Sequence, residues 1–210
     1  MGKSSVDLTG IVLLAYNLYC LSNKITKNEQ QLYNRRFTGY MAESSILHNG
    51  QTYGGQNKNQ KIEYINHIGS VVFEIINASK NTPDFNFDLA IKCAFLHDTI
   101  EDTDFPIEDL EKEYGKEVKE GVLALTKNTE LEKEHQMIDS LNRIKQQPKE
   151  IWAVKMADRI CNLYAPPYFW NESKKKKYLE EAKVIYEHLK EGNEYLAKRL
   201  YEKIEAYKNK

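Results

Sequence analysis

An apolar run over residues 89–96 leads directly into His97-Asp98-Thr-Ile-Glu101-Asp102, and this junction limits the fold more than any other stretch. Apolar residues at that density mark a buried helix. A buried helix that ends in an imidazole and three carboxylates must find partners for them, because an unpaired charge away from water is costly. A cation would serve. On one continuous helix His97 and Asp98 point about 100° apart, so both reach a single ion only over the edge between them. Glu101 then lies at i+4 from His97 and Asp102 at i+4 from Asp98, one turn further on.

The remaining ligands have to come from elsewhere in the chain. Helical periodicity is expected over residues 8–21 and 29–47, the second with Leu32, Phe37, Tyr40, Met41 and Ile46 as its apolar or aromatic positions. It resumes over residues 64–78, with Ile65, Ile68, Val72, Ile75 and Ile76 on one face and His67 beside that stripe. Asp88 is placed to cap the helix that runs into His97. Pro106 and Gly115 bracket a further helix, and residues 117–125 and 130–146 form two more, with His135 exposed. Over residues 150–163 an inward stripe of Ile151, Val154, Ala157, Ile160 and Cys161 is interrupted by Lys155, Asp158 and Asn162, which share a polar face. An amphipathic, Glu-, Lys- and Tyr-rich region closes the chain. No strand-like alternation and no internal repeat is present, so the expected architecture is all-α. Residues 48–61, rich in glycine and amides, are expected as a loop that no regular element can hold without help.

Composition narrows the partners. The chain carries 30 Lys and Arg against 31 Asp and Glu, a formal charge of −1. That balance gives no reason to expect nucleic acid or an anionic membrane, so an anionic ligand must be held by local charge. Cys20, Cys93 and Cys161 are far apart among apolar neighbours, which fits reduced thiols and a cytoplasmic setting. Residues 11–21 are too short to span a bilayer and are interrupted by Asn17, so a buried helix is expected there. Tyr168, Phe169 and Trp170 read as a packed lid or a homo-oligomer contact, and Lys174 to Lys177 as a solvated run.

His67 and Asp158 are the candidates to complete the site, each a polar group on or beside the buried side of its own helix. Two imidazoles with the carboxylates of Asp98 and Asp158 suit manganese, iron or zinc. Such an ion lowers the pKa of a bound water and polarises a phosphoryl oxygen, so hydrolysis of a phosphate ester or anhydride is expected. Glu101 and Asp102 would move the proton of the attacking water or of the leaving group. Taken singly, His67 reads as a hydrogen-bonded core histidine and the His-Asp pair as a salt-bridged helix end; the full set is what carries the metal reading.

His67, His97-Asp98 and Asp158, in this order and spacing, resemble the HD-domain metal-dependent phosphohydrolases. Longer matches are His48-Asn-Gly-Gln51, Tyr64-Ile-Asn-His67, Phe95-Leu-His-Asp-Thr-Ile-Glu-Asp-Thr103, Leu125-Thr-Lys127 and Val154-Lys-Met-Ala-Asp-Arg-Ile-Cys-Asn-Leu163. These resemble the (p)ppGpp hydrolase branch, the RelA/SpoT type and the small alarmone hydrolases, over about residues 40–190. The resemblance implies an HD-domain helical bundle, here with additional N-terminal helices. Residues 1–38 are then an extension and residues 39–210 the hydrolase domain. It further implies metal ligation by His67, His97, Asp98 and Asp158, usually of manganese. Glu101 and Asp102 are the implied catalytic pair, and the implied reaction is loss of the 3′-pyrophosphate of ppGpp or pppGpp to give GDP or GTP. Asn162 matches the residue that contacts the nucleotide substrate.

The chain departs from the pattern where that branch carries an Arg-Lys pair, here Tyr53-Gly54. Tyr53 could stack on a purine, with Lys58 or Lys61 supplying the displaced charge. An adenine alarmone such as ppApp or another nucleotide phosphate is therefore an alternative substrate, and a noncatalytic nucleotide or metal sensor an alternative role.

Overall fold

The structure is a computed structural model and describes residues 26–208. The helix expected at residues 8–21, with Cys20, lies outside the described residues. Helix α1 (Lys27–Leu47) runs continuously on both sides of position 38. It buries Phe37 and Met41, and the Phe37 ring packs edge-on against Phe95 with centroids 5.7 Å apart.

Helices α2 (Ile65–Lys80), α3 (Phe87–Leu96) and α8 (Lys149–Asn162) form the centre. Each buries a full stripe: Ile68, Val71, Val72 and Ile75 on α2, Leu89 to Leu96 almost whole on α3, and Ile151, Val154, Ala157 and Ile160 on α8. Burying these apolar surfaces against one another is the main driving force that sets the three helices in place. Asn86 rather than Asp88 caps α3, its side chain accepting from Leu89 N at 3.2 Å. Asp88 sits two residues further on, in the first turn, and pairs instead with Lys92 at 2.5 Å. The short helix α4 (Thr99–Asp102) follows, then α5 (Ile107–Tyr114), α6 (Lys116–Leu125) and α7 (Lys133–Ile144). Gly115 takes a φ of 90° between α5 and α6, a conformation open to glycine at little cost. Helices α9 (Glu172–Leu189) and α10 (Glu194–Tyr207) cover α8 from the other side and start at the side-chain caps Asn171 and Asn193. None of the described helices is long and apolar enough to cross a membrane.

The all-α architecture holds, with one correction. Within the expected loop, β1 (Thr52–Gly54) and β2 (Lys61–Glu63) form an antiparallel hairpin in which Tyr53 faces Ile62 and Gly54 faces Lys61. Three-residue strands are too short to show alternation. The help they need comes from the tertiary structure: Tyr168 N donates to Gly55 O at 3.0 Å, and Gly54 lies so close to Phe169 and Pro167 that an added Cβ would stand 2.5 Å from the Phe169 ring. The segment after α8 thus props the hairpin, which is one wall of the site.

A buried ion pair ties that segment to the bundle. Glu74 of α2, 3% exposed, receives Arg199 Nε of α10 at 2.6 Å, a second Arg199 nitrogen, and the Tyr164 hydroxyl at 3.0 Å. Arg199 keeps access to water, so Glu74→Ala costs mainly the hydrogen bonds to a charged group and is expected to lower stability by about 2 kcal/mol. The midpoint of urea unfolding measures it; a loss below about 1 kcal/mol, the level of an exposed pair, would show that the contact does not hold the bundle.

Candidate active site

The side chains that the sequence scattered over 92 positions meet where the start of α2, the α3–α4 junction and the middle of α8 converge. His67 Nε2 and His97 Nε2 stand 3.3 Å apart. Asp98 Oδ2 is 2.9 Å from His97 Nε2 and 3.6 Å from His67 Nε2. Ligand atoms of these three residues all lie within 4.8 Å of one another, as a metal site requires. Asp158 flanks the trio, with Oδ1 at 3.4 Å from His67 Nε2. Its carboxylate is also clamped: Lys155 Nζ reaches Oδ2 at 2.9 Å and Asn162 Nδ2 donates to Oδ1.

Local structure explains why the His97 and Asp98 side chains face one point. The chain is not one continuous helix here; Asp98 has φ −105° and ψ 0°, and α3 ends at Leu96. The carbonyls left over at a helix end need donors. His97 Nδ1 donates to Ala94 O at 2.9 Å and Ser44 donates to Phe95 O at 3.1 Å, so side chains satisfy the end of α3. The same bond commits the Nδ1 proton of His97 and turns Nε2 toward the centre, the arrangement metal-ligating histidines use. Tyr64 completes the support by donating to Asp98 Oδ2 at 2.5 Å.

The electrostatics fit a cationic occupant. Burial opposes charge on His97, yet Asp98, Asp158 and the Ala94 carbonyl outweigh it and push this histidine up to about 9. Burial likewise opposes ionisation of Asp98 and Asp158, but histidines and, for Asp158, Lys155 hold both carboxyls below their ordinary range. A cluster that keeps two carboxylates ionised and draws a proton onto a buried imidazole offers its donors to a divalent cation in the same way.

The break in the helix redirects the expected catalytic pair. Glu101 does not simply overhang the trio by helical spacing; its carboxylate takes the Lys127 ammonium and, at 3.2 Å, the Lys127 backbone N–H. Asp102 stays on the site side, where desolvation, then the negative charges of Asp98 and Glu101, push its carboxyl up against a smaller lowering by Tyr64 and His48. The pair is thereby differentiated, one carboxylate ion-paired and the other shifted upward by its surroundings.

Beside the trio opens a cavity of about 420 Å3, lined by Tyr53, Tyr64, His67, Asn162, Trp170 and Tyr178 among others. Tyr53 stands edge-on to Tyr64, with ring centroids 6.4 Å apart. Tyr53 and Asn162 both line this cavity, whereas Lys58 and Lys61 are exposed on the hairpin and line none of it. Tyr64 and Lys127 were not singled out as site residues. Tyr64 could have been, since it lies one turn before His67; Lys127 stands in the Leu125-Thr-Lys127 match, but its pairing with Glu101 spans 26 residues and no local pattern shows it.

No family model matches the chain. Curated relatives do: the guanosine-3′,5′-bis(diphosphate) 3′-pyrophosphohydrolase MESH1 of Danio rerio is 32% identical over 145 residues, spanning 65% of this chain and 76% of the relative. The chain belongs to the MESH1 family of HD-domain proteins. The Drosophila melanogaster MESH1 is 28% identical over 147 residues, 68% of this chain and 80% of its own length. Among solved structures, a metazoan ortholog of SpoT that hydrolyzes ppGpp superposes with a TM-score of 0.67 at 25% identity, covering 80% of this chain and 93% of its own. A Listeria monocytogenes protein shares the fold with a TM-score of 0.54 at 16% identity, over 73% of this chain and 98% of its own.

Proposed function

We propose that this protein is a metal-dependent hydrolase that removes the 3′-pyrophosphate of a guanosine alarmone, converting ppGpp or pppGpp to GDP or GTP and pyrophosphate. The observation that carries the reading is the convergence of His67, His97 and Asp98, with Asp158 beside them, next to a cavity of about 420 Å3 that His67 itself lines. MESH1 relatives bear the name of that activity.

The four residues would hold a divalent cation, manganese by the family resemblance, which when bound acts as a Lewis acid on phosphoryl oxygen and lowers the pKa of water. Asp98 and Asp158 bring the negative charge, Tyr64 and Lys155 orient them, and the His97–Ala94 bond fixes the imidazole. In this reading Glu101, paired with Lys127, would accept a proton and Asp102 would deliver one to the departing pyrophosphate; the ion pair and the raised Asp102 carboxyl support that division. Buried free thiols at Cys93 and Cys161 support placement in the reducing cytoplasm.

The test is manganese-loaded protein with ppGpp, following pyrophosphate and GDP. No turnover of ppGpp with turnover of ppApp would move the assignment to an adenine alarmone. That second reading rests on one feature: the cavity lining contains no lysine or arginine, and tyrosine and amide groups stand where basic residues were expected. Binding of metal and nucleotide without turnover of either would make the protein a sensor. Tyr53→Ala is expected to raise KM about tenfold, the worth of one base–aromatic stack, with kcat within twofold. An unchanged KM would remove Tyr53 from the base site.

A further inference from the structure

His48 and Gln51 stand outside the metal-ligand set and outside the cavity beside it, yet they reach the catalytic pair from the end of α1. A turn closed by Gln51 N donating to His48 O at 3.1 Å, with Gly50 at a φ of 77°, brings the two side chains together. Gln51 Nε2 then donates to Asp102 O at 2.6 Å, across 51 residues. That carbonyl belongs to the last residue of α4, where a helix has no donor of its own to offer. Only the amide nitrogen can serve a carbonyl, so the amide oxygen is the atom that faces His48 Nδ1 at 2.8 Å, and Nδ1 carries the proton. Gln51 O meanwhile accepts from Tyr64 N at 3.0 Å, so one residue joins the end of α1, the start of α2 and the end of α4.

His48 is 3% exposed, and its Nε2 takes no hydrogen bond among the described residues. An unmet buried nitrogen is costly, so packing alone does not account for an imidazole here; the bond made by Nδ1 does. The ring also lies against Tyr64, with centroids 5.0 Å and planes 31° apart, and Tyr64 is the donor to Asp98. We propose that His48 and Gln51 are positioning residues for Asp102: His48 orients the Gln51 amide, and Gln51 holds the end of α4 so that the Asp102 carboxyl keeps to the site side. With four residues, α4 is too short to be stable by itself, so an outside hold decides where its last residue stands. The effect on rate rests on the proposed function; the hold on α4 does not.

Two readouts on the metal-loaded full chain test this. The first, without nucleotide, is hydrogen–deuterium exchange followed by mass spectrometry on peptides covering residues 98–104. Gln51→Leu and His48→Gln are expected to speed exchange there about fivefold, the worth of one hydrogen bond, with α2 peptides unchanged. The second is steady-state turnover of ppGpp, in which both variants are expected to lose about 10–100-fold in kcat, the cost of a misplaced catalytic group, with KM within about twofold. His48→Asn, whose amide N–H stands where Nδ1–H does, is expected to lose less than His48→Gln in both readouts. Unchanged exchange in Gln51→Leu would overturn the proposal. So would faster exchange with unchanged kcat, which reduces the contact to a structural strap, or equal losses in His48→Asn and His48→Gln. Gln51 is only half-buried, so its variant keeps the test valid if His48→Gln fails to fold. If the unsubstituted chain does not turn over ppGpp, the proposed function falls and the exchange readout alone decides the hold on Asp102.

Discussion

Asp98→Ala is expected to remove bound metal and turnover together. Asp98 Oδ2 is the carboxylate oxygen that joins both imidazoles into one donor set, 2.9 Å from His97 Nε2 and 3.6 Å from His67 Nε2. Without it the two imidazoles face each other with no carboxylate between them, and Tyr64 loses the acceptor that orders the cavity wall. Groups that merely support a ligand are worth about 10–100-fold in affinity or activity, so loss of the ligand itself should exceed about 100-fold in kcat/KM. Metal content after gel filtration and steady-state rates measure the two effects, with far-UV circular dichroism as the control for folding. Activity retained with metal, or metal retained without activity, would take Asp98 out of the ligand set.

Glu101→Gln is expected to keep the metal and lower kcat by about 10²–10⁴-fold, the span of general acid–base catalysis. The substitution preserves shape but removes the charge that holds Lys127 and the basicity that accepts a proton. Lys127→Ala separates those two roles. If Glu101 serves only to hold Lys127, both substitutions lower kcat equally; if Glu101 handles the proton, Lys127→Ala costs less. Full activity in Glu101→Gln would transfer the proton work to Asp102, whose carboxyl the surroundings already push up.

Legibility followed the length and period of each signal. The stripes of α2, α3 and α8 span ten or more residues each, so helical spacing placed Ile68, Val72, Ile75, Ile151 and Val154 in the core before any coordinates. The polar residues lodged in or beside those stripes, His67, His97, Asp98 and Asp158, stood out for the same reason. The hairpin around Tyr53 did not, because its strands are three residues long and are held by Phe169, Pro167 and Tyr168 from more than 100 positions away. Nor did the break at Asp98, which depends on Ser44 reaching the Phe95 carbonyl across 51 residues. The cap on α3 went to Asn86 rather than Asp88 by two positions, a distinction that the capping geometry settles and the residue types alone do not.

By itself the sequence determined the all-α class, the helices that carry the site and the identity of the ligand candidates, because each follows from periodicity and from the cost of burying a charge. The tertiary structure decided how those groups meet. It bent the chain at His97 and Asp98 so that both face His67, turned Glu101 to Lys127, and raised a hairpin wall on the cavity that His67 lines. Each of these is a contact between residues far apart in the chain, whose energy depends on distances that no local pattern records.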